Sequence, residues 1–179
     1  MKIFIIGFMG CGKTTIGRLL AKCMNYSFVD TDRFIEMWQD LTVAEIFARH
    51  GEAAFREMER NILLYLQNCE SVVISTGGGM PCHGNNMNIM SGFDTANTNN
   101  KVVYLKVSPQ TLVQRLIHSY TERPLIKGKT ETELLQYIKE QLAIREQFYN
   151  RADIVMQTEK YTIEEILQIL KNQLLIVNC

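Results

Sequence analysis

A glycine-rich segment near the amino terminus contains the residue types that bind nucleotide phosphates. It runs from Gly7 to Thr14 with the sequence GFMGCGKT and matches the pattern G-x-x-x-x-G-K-[ST] in full. In such a loop the backbone amides surround phosphate oxygens, Lys13 neutralises the β and γ oxygens, and the Thr14 hydroxyl binds Mg²⁺. The segment predicts a site for a nucleoside triphosphate. Its candidate ligands are Gly10, Cys11, Gly12, Lys13, Thr14 and Thr15.

Two carboxylates, Asp30 and Asp32, come directly after a second candidate strand. Their side chains point the same way if the segment remains extended. Two nearby acids repel each other unless a cation or a hydrogen-bond donor lies beside them. Mg²⁺ at Asp30 and a substrate hydroxyl or an arginine at Asp32 would explain the pair. The alternative is that Asp30 or Asp32 only caps the helix that begins near Arg33.

Three consecutive glycines, Gly77, Gly78 and Gly79, follow another apolar run at 71–75. Residues without side chains at the carboxyl end of a strand allow the backbone to approach a ligand closely, and their amides then become donors. A flexible turn is the alternative. The position at a predicted strand end favours a shaped wall of a binding pocket.

Three arginines could bind anions, although local sequence leaves each of them ambiguous. Arg56 lies in one helical pattern and could be a solvated helix charge. Arg145 lies in another, four residues before Tyr149, and the two could be no more than a surface pair. Arg123 lies in a polar segment with helix-breaking residues, which suits a closing lid. An arginine that arrives on closure would stabilise the transferring phosphoryl group, and a solvated loop arginine is the alternative.

Apolar runs that alternate with helical patterns predict the elements that position these residues. The run at 3–6 is β-branched and aromatic without polar alternation, which is typical of a strand buried on both faces of a parallel sheet. Further strand candidates lie at 28–29, 71–75, 101–107 and 154–156, and Thr162 predicts the cap of a helix near the end of the sequence. The alternation indicates βαβ units. We therefore expect an α/β fold in which helices cover both faces of a central, mostly parallel sheet.

Charge and cysteine content argue against several other classes of protein. The 179 residues include 19 basic and 19 acidic side chains, so no surface for a polyanion or an anionic membrane is indicated. The five cysteines are scattered without a C-x-x-C pair, which argues against disulfides and zinc. The run at 3–6 is too short for a signal peptide or a membrane span. We expect one cytoplasmic domain over 1–179, a monomer without nucleic acid or membrane partners.

The motifs, taken together and in order, resemble those of shikimate kinases over essentially the whole chain. They are GFMGCGKT, DTD at 30–32, FRxxE at 55–59, STGGG at 75–79, ERPL at 122–125 and RxxxY at 145–149. The resemblance implies the three-layer α/β/α fold of P-loop kinases. It also implies phosphorylation of the 3-hydroxyl of shikimate by ATP with Mg²⁺, a step of the chorismate route to aromatic amino acids.

The resemblance also assigns roles to individual residues. Asp32 would bind the reacting hydroxyls, Arg56 and Arg145 would bind the carboxylate of shikimate, and Gly78 and Gly79 would close the pocket. Catalysis would then depend on Asp32, Lys13 and Arg123. Thr14 and Asp30 would be the metal ligands, and Arg115 the candidate that stacks on adenine. A substrate-binding segment would occupy about 33–60, and a lid about 113–129.

Some features do not follow that family pattern, and two rival functions remain open. The segment 83–100 is longer and richer in asparagine than expected, so no role transfers to it. Cys82 and His83 have no second pair nearby that would complete a metal site. One rival is another small-molecule kinase such as a gluconate kinase, which would not require the paired arginines. The other is a nucleotide-binding protein that no longer transfers phosphate.

Overall fold

The predicted strands assemble into one parallel sheet. A computed structural model describes residues 1–93, 99–118, 126 and 128–176. Within these ranges the strands are β1 (Lys2–Ile6), β2 (Ser27–Asp30), β3 (Val72–Ser75), β4 (Asn100–Lys106) and β5 (Ile154–Gln157). Their order is β2-β3-β1-β4-β5, and every pairing is parallel. The prediction of a central parallel sheet is confirmed.

The position of β1 explains its composition. It lies between β3 and β4, and all five of its residues are buried. Both faces of a central strand are covered, so polar residues at alternate positions would bury polar side chains in the core. Each fully buried Ile or Phe contributes roughly 1.5–3 kcal/mol by its removal from water. Among the described strands, β2 lies at the edge of the sheet beside β3, and it is half-buried.

Helices connect the strands and cover the sheet. They are α1 (Lys13–Met24), α2 (Thr31–Gln39), α3 (Val43–Tyr65), α4 (Asn86–Ser91), α5 (Pro109–Ile117), α6 (Glu131–Tyr149) and α7 (Ile163–Ile176). Helix α1 packs against α7, and α5 packs against α6. None of the helices in the described ranges has both the length and the apolar character of a membrane span.

Polar caps fix where several of these helices begin. Thr42 and Thr130 each accept from a backbone N–H three residues on, while Glu45 and Glu133 accept from the cap residues in return. Thr162 forms the same reciprocal pair with Glu165 at the predicted start of α7. Each of these caps depends on two residues three positions apart, and Thr162 is the one that the sequence predicted.

Two segments have local features that the alternation of strands and helices does not specify. The asparagine-rich segment contains the short helix α4, whose Met87 and Met90 are buried in the core. Helix α3 is kinked at Gly51, where φ is 79° and ψ is 172°. The kink divides α3 into two helical parts, and Arg56 lies in the second.

Candidate active site

The register of the sheet brings the candidate loops together. Ile5 of β1 pairs with Ser75 of β3, and Ser75 also pairs with Asp30 at the end of β2. The carboxyl ends of these three strands therefore lie side by side. The glycine-rich loop after β1, the acidic turn after β2 and the glycines after β3 meet at this edge.

The loop after β1 has the backbone conformation that its glycines predicted. Gly12 precedes α1 with φ 99°, a left-handed conformation that side chains rarely adopt. A Cβ at Gly7 would lie 2.8 Å from the carbonyl oxygen of Leu105, so the neighbouring strand excludes any larger residue. The helix that starts at Lys13 directs its unpaired N–H groups towards this loop, which favours an anion there.

Lys13 holds its ammonium group against the loop backbone. Its Nζ donates to the carbonyl oxygens of Gly7 at 2.9 Å and Phe8 at 3.0 Å. The Cys11 side chain is buried, with Sγ 3.9 Å from Lys13 Nζ. Cys11 therefore faces the interior of the loop, and only its backbone can face a phosphate.

Thr14 and Asp30 join the phosphate loop to the end of β2. The Thr14 hydroxyl donates to Asp30 Oδ2 at 2.7 Å. Asp30 Oδ1 also accepts from the backbone N–H of Arg33 at 3.4 Å, so Asp30 caps α2. Asp30 therefore caps α2 with one carboxylate oxygen, while its other carboxylate oxygen faces Thr14. A hydroxyl and a carboxylate oxygen this close form an oxygen donor set that fits Mg²⁺.

Asp32 reaches the site by a different geometry from the one expected. The segment after β2 is not extended, since α2 begins at Thr31 and Asp32 lies in its first turn. Asp30 and Asp32 nevertheless line one cavity of about 250 Å³ together with the phosphate loop. Its remaining lining residues are Met9, Gly10, Gly12, Lys13, Thr14, Thr15, Ser75, Thr76 and Gly78. The described residues contain no cluster of three or more His, Cys, Asp or Glu that could hold a metal, and Mg²⁺ typically needs only one or two protein carboxylates.

The three glycines form a wall that close neighbours fix. The Gly77 N–H donates to Thr31 Oγ1 at 2.9 Å. A Cβ at Gly78 would lie 3.4 Å from the carbonyl oxygen of Gly7, and one at Gly79 would lie 2.7 Å from Arg56 Nη1. The wall therefore contacts the phosphate loop on one side and Arg56 on the other. A flexible turn does not describe it.

Arg56 is held between two carboxylates on its own helix. Its Nη2 lies 2.7 Å from Glu52 Oε1, and its Nη1 lies 2.7 Å from Glu59 Oε2. Burial alone would lower the pKa of Arg56, but Glu59 and Glu52 raise it above its ordinary value. Arg56 therefore remains a cation beside Gly79, where it can bind an anionic substrate group. Its side chain is 15% exposed, so it is not the solvated helix charge of the alternative interpretation.

Glu59 is a site residue to which the sequence interpretation gave no role. It is fully buried, and a Cβ at Gly77 would lie 2.4 Å from its Oε1. Burial raises the pKa of Glu59 to about 7, Asp32 adds to the rise, and Arg56 and Arg145 oppose it. Its sequence signals were its position three residues after Arg56 and its place as the last residue of the FRxxE motif, to which no role was given.

Arg145 lies between the phosphate loop and the glycine wall. Its guanidinium carbon is 5.3 Å from the centre of the Phe8 ring, and its Nη1 is 3.6 Å from where a Cβ of Gly78 would be. Gln141 Oε1 accepts from Nη2 at 2.8 Å. Tyr149, four residues on, is fully buried. The surface-pair alternative for Arg145 and Tyr149 is therefore wrong.

Of the two arginines predicted to contact the nucleotide from the lid segment, the described residues include Arg115. Its Nη1 lies 3.4 Å from the carbonyl oxygens of both Gly10 and Cys11, so Arg115 touches the phosphate loop from α5. Arg123 lies outside the described residues, together with the ERPL motif.

Comparisons with known proteins agree on one family. A family model described as shikimate kinase matches residues 9–174. A shikimate kinase of Azobacteroides pseudotrichonymphae is 44% identical over 93% of this chain and 95% of its own length. A crystal structure of shikimate kinase from Bacteroides thetaiotaomicron superposes with a TM-score of 0.88 at 39% identity, covering 97% of this chain and 98% of that one. Shikimate kinase from Acinetobacter baumannii, in complex with shikimate, superposes with a TM-score of 0.84 at 30% identity, covering 99% and 93%.

Proposed function

The chain belongs to the shikimate kinase family and is an ATP-dependent kinase of shikimate, and we propose which role each site residue has in that reaction. The enzyme transfers the γ-phosphoryl group of ATP to the 3-hydroxyl of shikimate, which yields shikimate 3-phosphate and ADP. The reaction belongs to chorismate and aromatic amino acid biosynthesis. The rival functions, a gluconate kinase and a nucleotide-binding protein without activity, are not favoured by these relatives.

The nucleotide half of the site is assigned to the phosphate loop. The amides of Gly10 to Thr15 would bind the phosphates, and Lys13 would move from the loop carbonyls to the β and γ oxygens. Thr14 and Asp30 would hold Mg²⁺, which neutralises charge on the phosphates when it is bound. The position of Arg115 against the loop supports a contact with the nucleotide.

The acceptor half is assigned to Asp32, the glycine wall and two arginines. Asp32 would orient the reacting hydroxyl and take its proton. Arg56 and Arg145 would bind the carboxylate, because a guanidinium group presents a planar fork that matches a carboxylate. A sugar-like acceptor without a carboxylate would leave both arginines without a partner.

One observation carries this assignment: the glycine wall contacts both halves. Gly78 approaches the phosphate loop and Arg145, while Gly79 approaches Arg56. An acceptor whose carboxylate lies between the arginines therefore has its hydroxyls near Asp32 and the phosphate loop. Such positioning converts phosphoryl transfer into an effectively unimolecular step. We assign Arg123 to the closing lid, where it would stabilise the phosphoryl oxygens and help to exclude water.

ADP release measured with a panel of acceptors tests the function. We expect turnover with shikimate and none above background with gluconate, and the product should carry its phosphate on the 3-hydroxyl by NMR. The variant Lys13→Met is the control for background hydrolysis. Turnover with a different polyol acid and none with shikimate would overturn the substrate but keep the kinase.

The enzyme's associations are also part of the proposal. We propose a cytoplasmic monomer that needs neither nucleic acid nor a membrane. Its zero formal net charge provides no surplus of positive charge for a polyanion or an anionic membrane. Sedimentation velocity at micromolar concentration should give one species with a mass near 20.6 kDa. A species of twice that mass would contradict the monomer.

A further inference from the structure

Tyr149 contacts the glycine wall but is not among the residues that line the cavity. We propose that Tyr149 is a positioning residue that orients the peptide between Gly78 and Gly79, so that the Gly79 N–H donates to the substrate's carboxylate. The inference rests on the proposed function, in which Gly78 and Gly79 close the acceptor site. It assigns Tyr149 a task in substrate specificity beyond its place in the core.

The contact is a short hydrogen bond from a buried phenol. The Tyr149 hydroxyl donates to the carbonyl oxygen of Gly78 at 2.5 Å, and the Tyr149 side chain is fully buried. Burial raises the pKa of Tyr149, so the hydroxyl keeps its proton at any pH at which the enzyme operates. The donor is therefore permanently available.

The Gly78 carbonyl and the Gly79 N–H belong to one planar peptide, so the hydrogen bond that fixes the carbonyl also fixes the direction of the N–H. The described residues contain no cis peptide bond, so the Gly78 carbonyl and the Gly79 N–H point in opposite directions. Since the carbonyl points at Tyr149, the Gly79 N–H points away from it. Arg56 lies beside Gly79, and within the described ranges the Gly79 N–H has no protein acceptor. This N–H is free to bind the anion that Arg56 would attract.

Glycine makes such an anchor necessary. Gly78 and Gly79 lack the side chains that restrict backbone rotation, so their shared peptide could otherwise turn over. The wall is held at its start by the bond from Gly77 N–H to Thr31 and beyond its end by Asn86 Nδ2, which donates to Met80 O at 2.9 Å. The Met80 N–H also donates to Gly77 O at 3.1 Å, which makes Gly77 to Met80 a turn with Gly78 and Gly79 at its centre. Turns closed by this bond occur with either orientation of the central peptide, so none of these bonds fixes which way the peptide between Gly78 and Gly79 faces.

Helix α6 supplies both the anchor and a cation. Arg145 and Tyr149 lie about one turn apart on it, and both approach Gly78. The Tyr149 ring packs against Tyr104 with 5.0 Å between ring centres, which fixes the phenol. A rigid helix therefore sets the spacing between the Arg145 guanidinium and the oriented amide.

The test compares two variants that each remove one buried phenolic hydroxyl. Tyr149→Phe removes the bond to Gly78, while Tyr104→Phe removes the bond to Glu146 Oε1 in the same aromatic pair. We expect Tyr149→Phe to raise the KM for shikimate roughly tenfold, the effect of one lost hydrogen bond. The KM for ATP and the Kd for ADP should stay within about twofold. Tyr104→Phe should leave all three constants near the wild-type values.

A carboxylate-specific measurement separates positioning from general damage. The wild type should prefer shikimate to its methyl ester, and Tyr149→Phe should lose about tenfold of that preference. An unchanged KM and an unchanged preference would overturn the inference, and so would equal weakening of both acceptors. A wild type without shikimate turnover would instead overturn the proposed function, and the inference with it.

A wild-type measurement covers the case in which Tyr149→Phe does not fold. The buried Tyr149 hydroxyl proton should exchange slowly enough to be seen by NMR. We expect its resonance to shift when shikimate binds and to stay in place with ADP alone. A resonance that shikimate leaves unchanged would overturn the inference.

Discussion

Arg56 and Glu59 form a buried ion pair beside the acceptor site, with 2.7 Å between Nη1 and Oε2. The Glu59 side chain is 1% exposed. The pair determines the charge beside the acceptor site. Asp32 is near enough to raise the pKa of Glu59, and the positive charge of Arg56 lowers it. The protonation of the pair therefore links the stability of the fold to the electrostatics of the site.

The variant Glu59→Gln should remove a pH dependence of stability. The pKa of Glu59 rises from 4.5 to about 7 in the folded protein, so between these values the unfolded chain has lost a proton that the folded protein keeps. The free energy of unfolding should therefore fall as pH rises through this window, by up to about 1.4 kcal/mol per pH unit and roughly 3 kcal/mol in total. Glu59→Gln cannot titrate, so it lacks this loss.

Urea unfolding at pH 5, 6, 7 and 8 measures the effect. The difference between wild type and Glu59→Gln is the informative quantity, because other titrating groups cancel in it. The free energy of unfolding of Glu59→Gln relative to that of the wild type should rise with pH up to about pH 7 and stay constant above it. A difference that stays constant across the four values would show that Glu59 ionises normally.

The variant Gly79→Ala should damage acceptor binding specifically. The added methyl would lie 2.7–2.9 Å from three atoms of the Arg56 guanidinium, so Arg56 must move. We expect the KM for shikimate to rise at least about tenfold, the scale of one lost charge-assisted hydrogen bond, with the KM for ATP unchanged.

Gly78→Ala is the graded comparison for that variant. Its methyl would meet its nearest neighbours at 3.4–3.6 Å, which is ordinary contact, and should produce a smaller rise in the KM for shikimate. A larger rise for Gly78→Ala than for Gly79→Ala would contradict the steric argument.

The variant Asp32→Asn should uncouple nucleotide binding from turnover. An amide keeps the shape of the carboxylate but cannot accept a proton, so kcat should fall by roughly 10²–10⁴-fold while the Kd for ADP changes little. Asp40→Asn is the matched control, because Asp40 is exposed at the end of α2 in a left-handed conformation that asparagine tolerates. Near-normal kcat in Asp32→Asn would remove Asp32 from the chemistry.

The variant Thr14→Val should raise the concentration of Mg²⁺ required for activity. Valine keeps the branched shape and loses the hydroxyl that contacts Asp30. We expect half-maximal activity to need roughly tenfold more Mg²⁺, and Thr14→Ser to restore it, since serine keeps the oxygen. The measurement is rate against free Mg²⁺ at saturating ATP. A curve identical to that of the wild type would argue against a metal contact at Thr14.

Local patterns were sufficient for most of the fold and for the nucleotide half of the site. The apolar run at 3–6 predicted a central strand, and Thr162 predicted the start of α7, because both signals depend on near neighbours in sequence. The phosphate loop is continuous, so its glycines, Lys13 and Thr14 appear together in the sequence.

Distant contacts explain what the sequence interpretation did not find. Asp32 was expected to point the same way as Asp30 if the segment remained extended, but it lies in α2, since Asp30 ends β2 and caps the helix that begins at Thr31. The sequence around Glu59 is typical of a solvated helix charge. In the structure its side chain is buried in α3 beside Gly77. Tyr149 meets Gly78 across 71 positions of the chain.

The sequence by itself determined the parallel sheet, the phosphate loop and, through the order of its motifs, the family. These features are encoded by adjacent residues and by short periods of hydrophobicity. Only the tertiary structure decided that Glu59 is buried against Arg56 and that Tyr149 holds the glycine wall. Burial and hydrogen bonding between distant elements depend on how the strands and helices pack, and no local pattern encodes that packing.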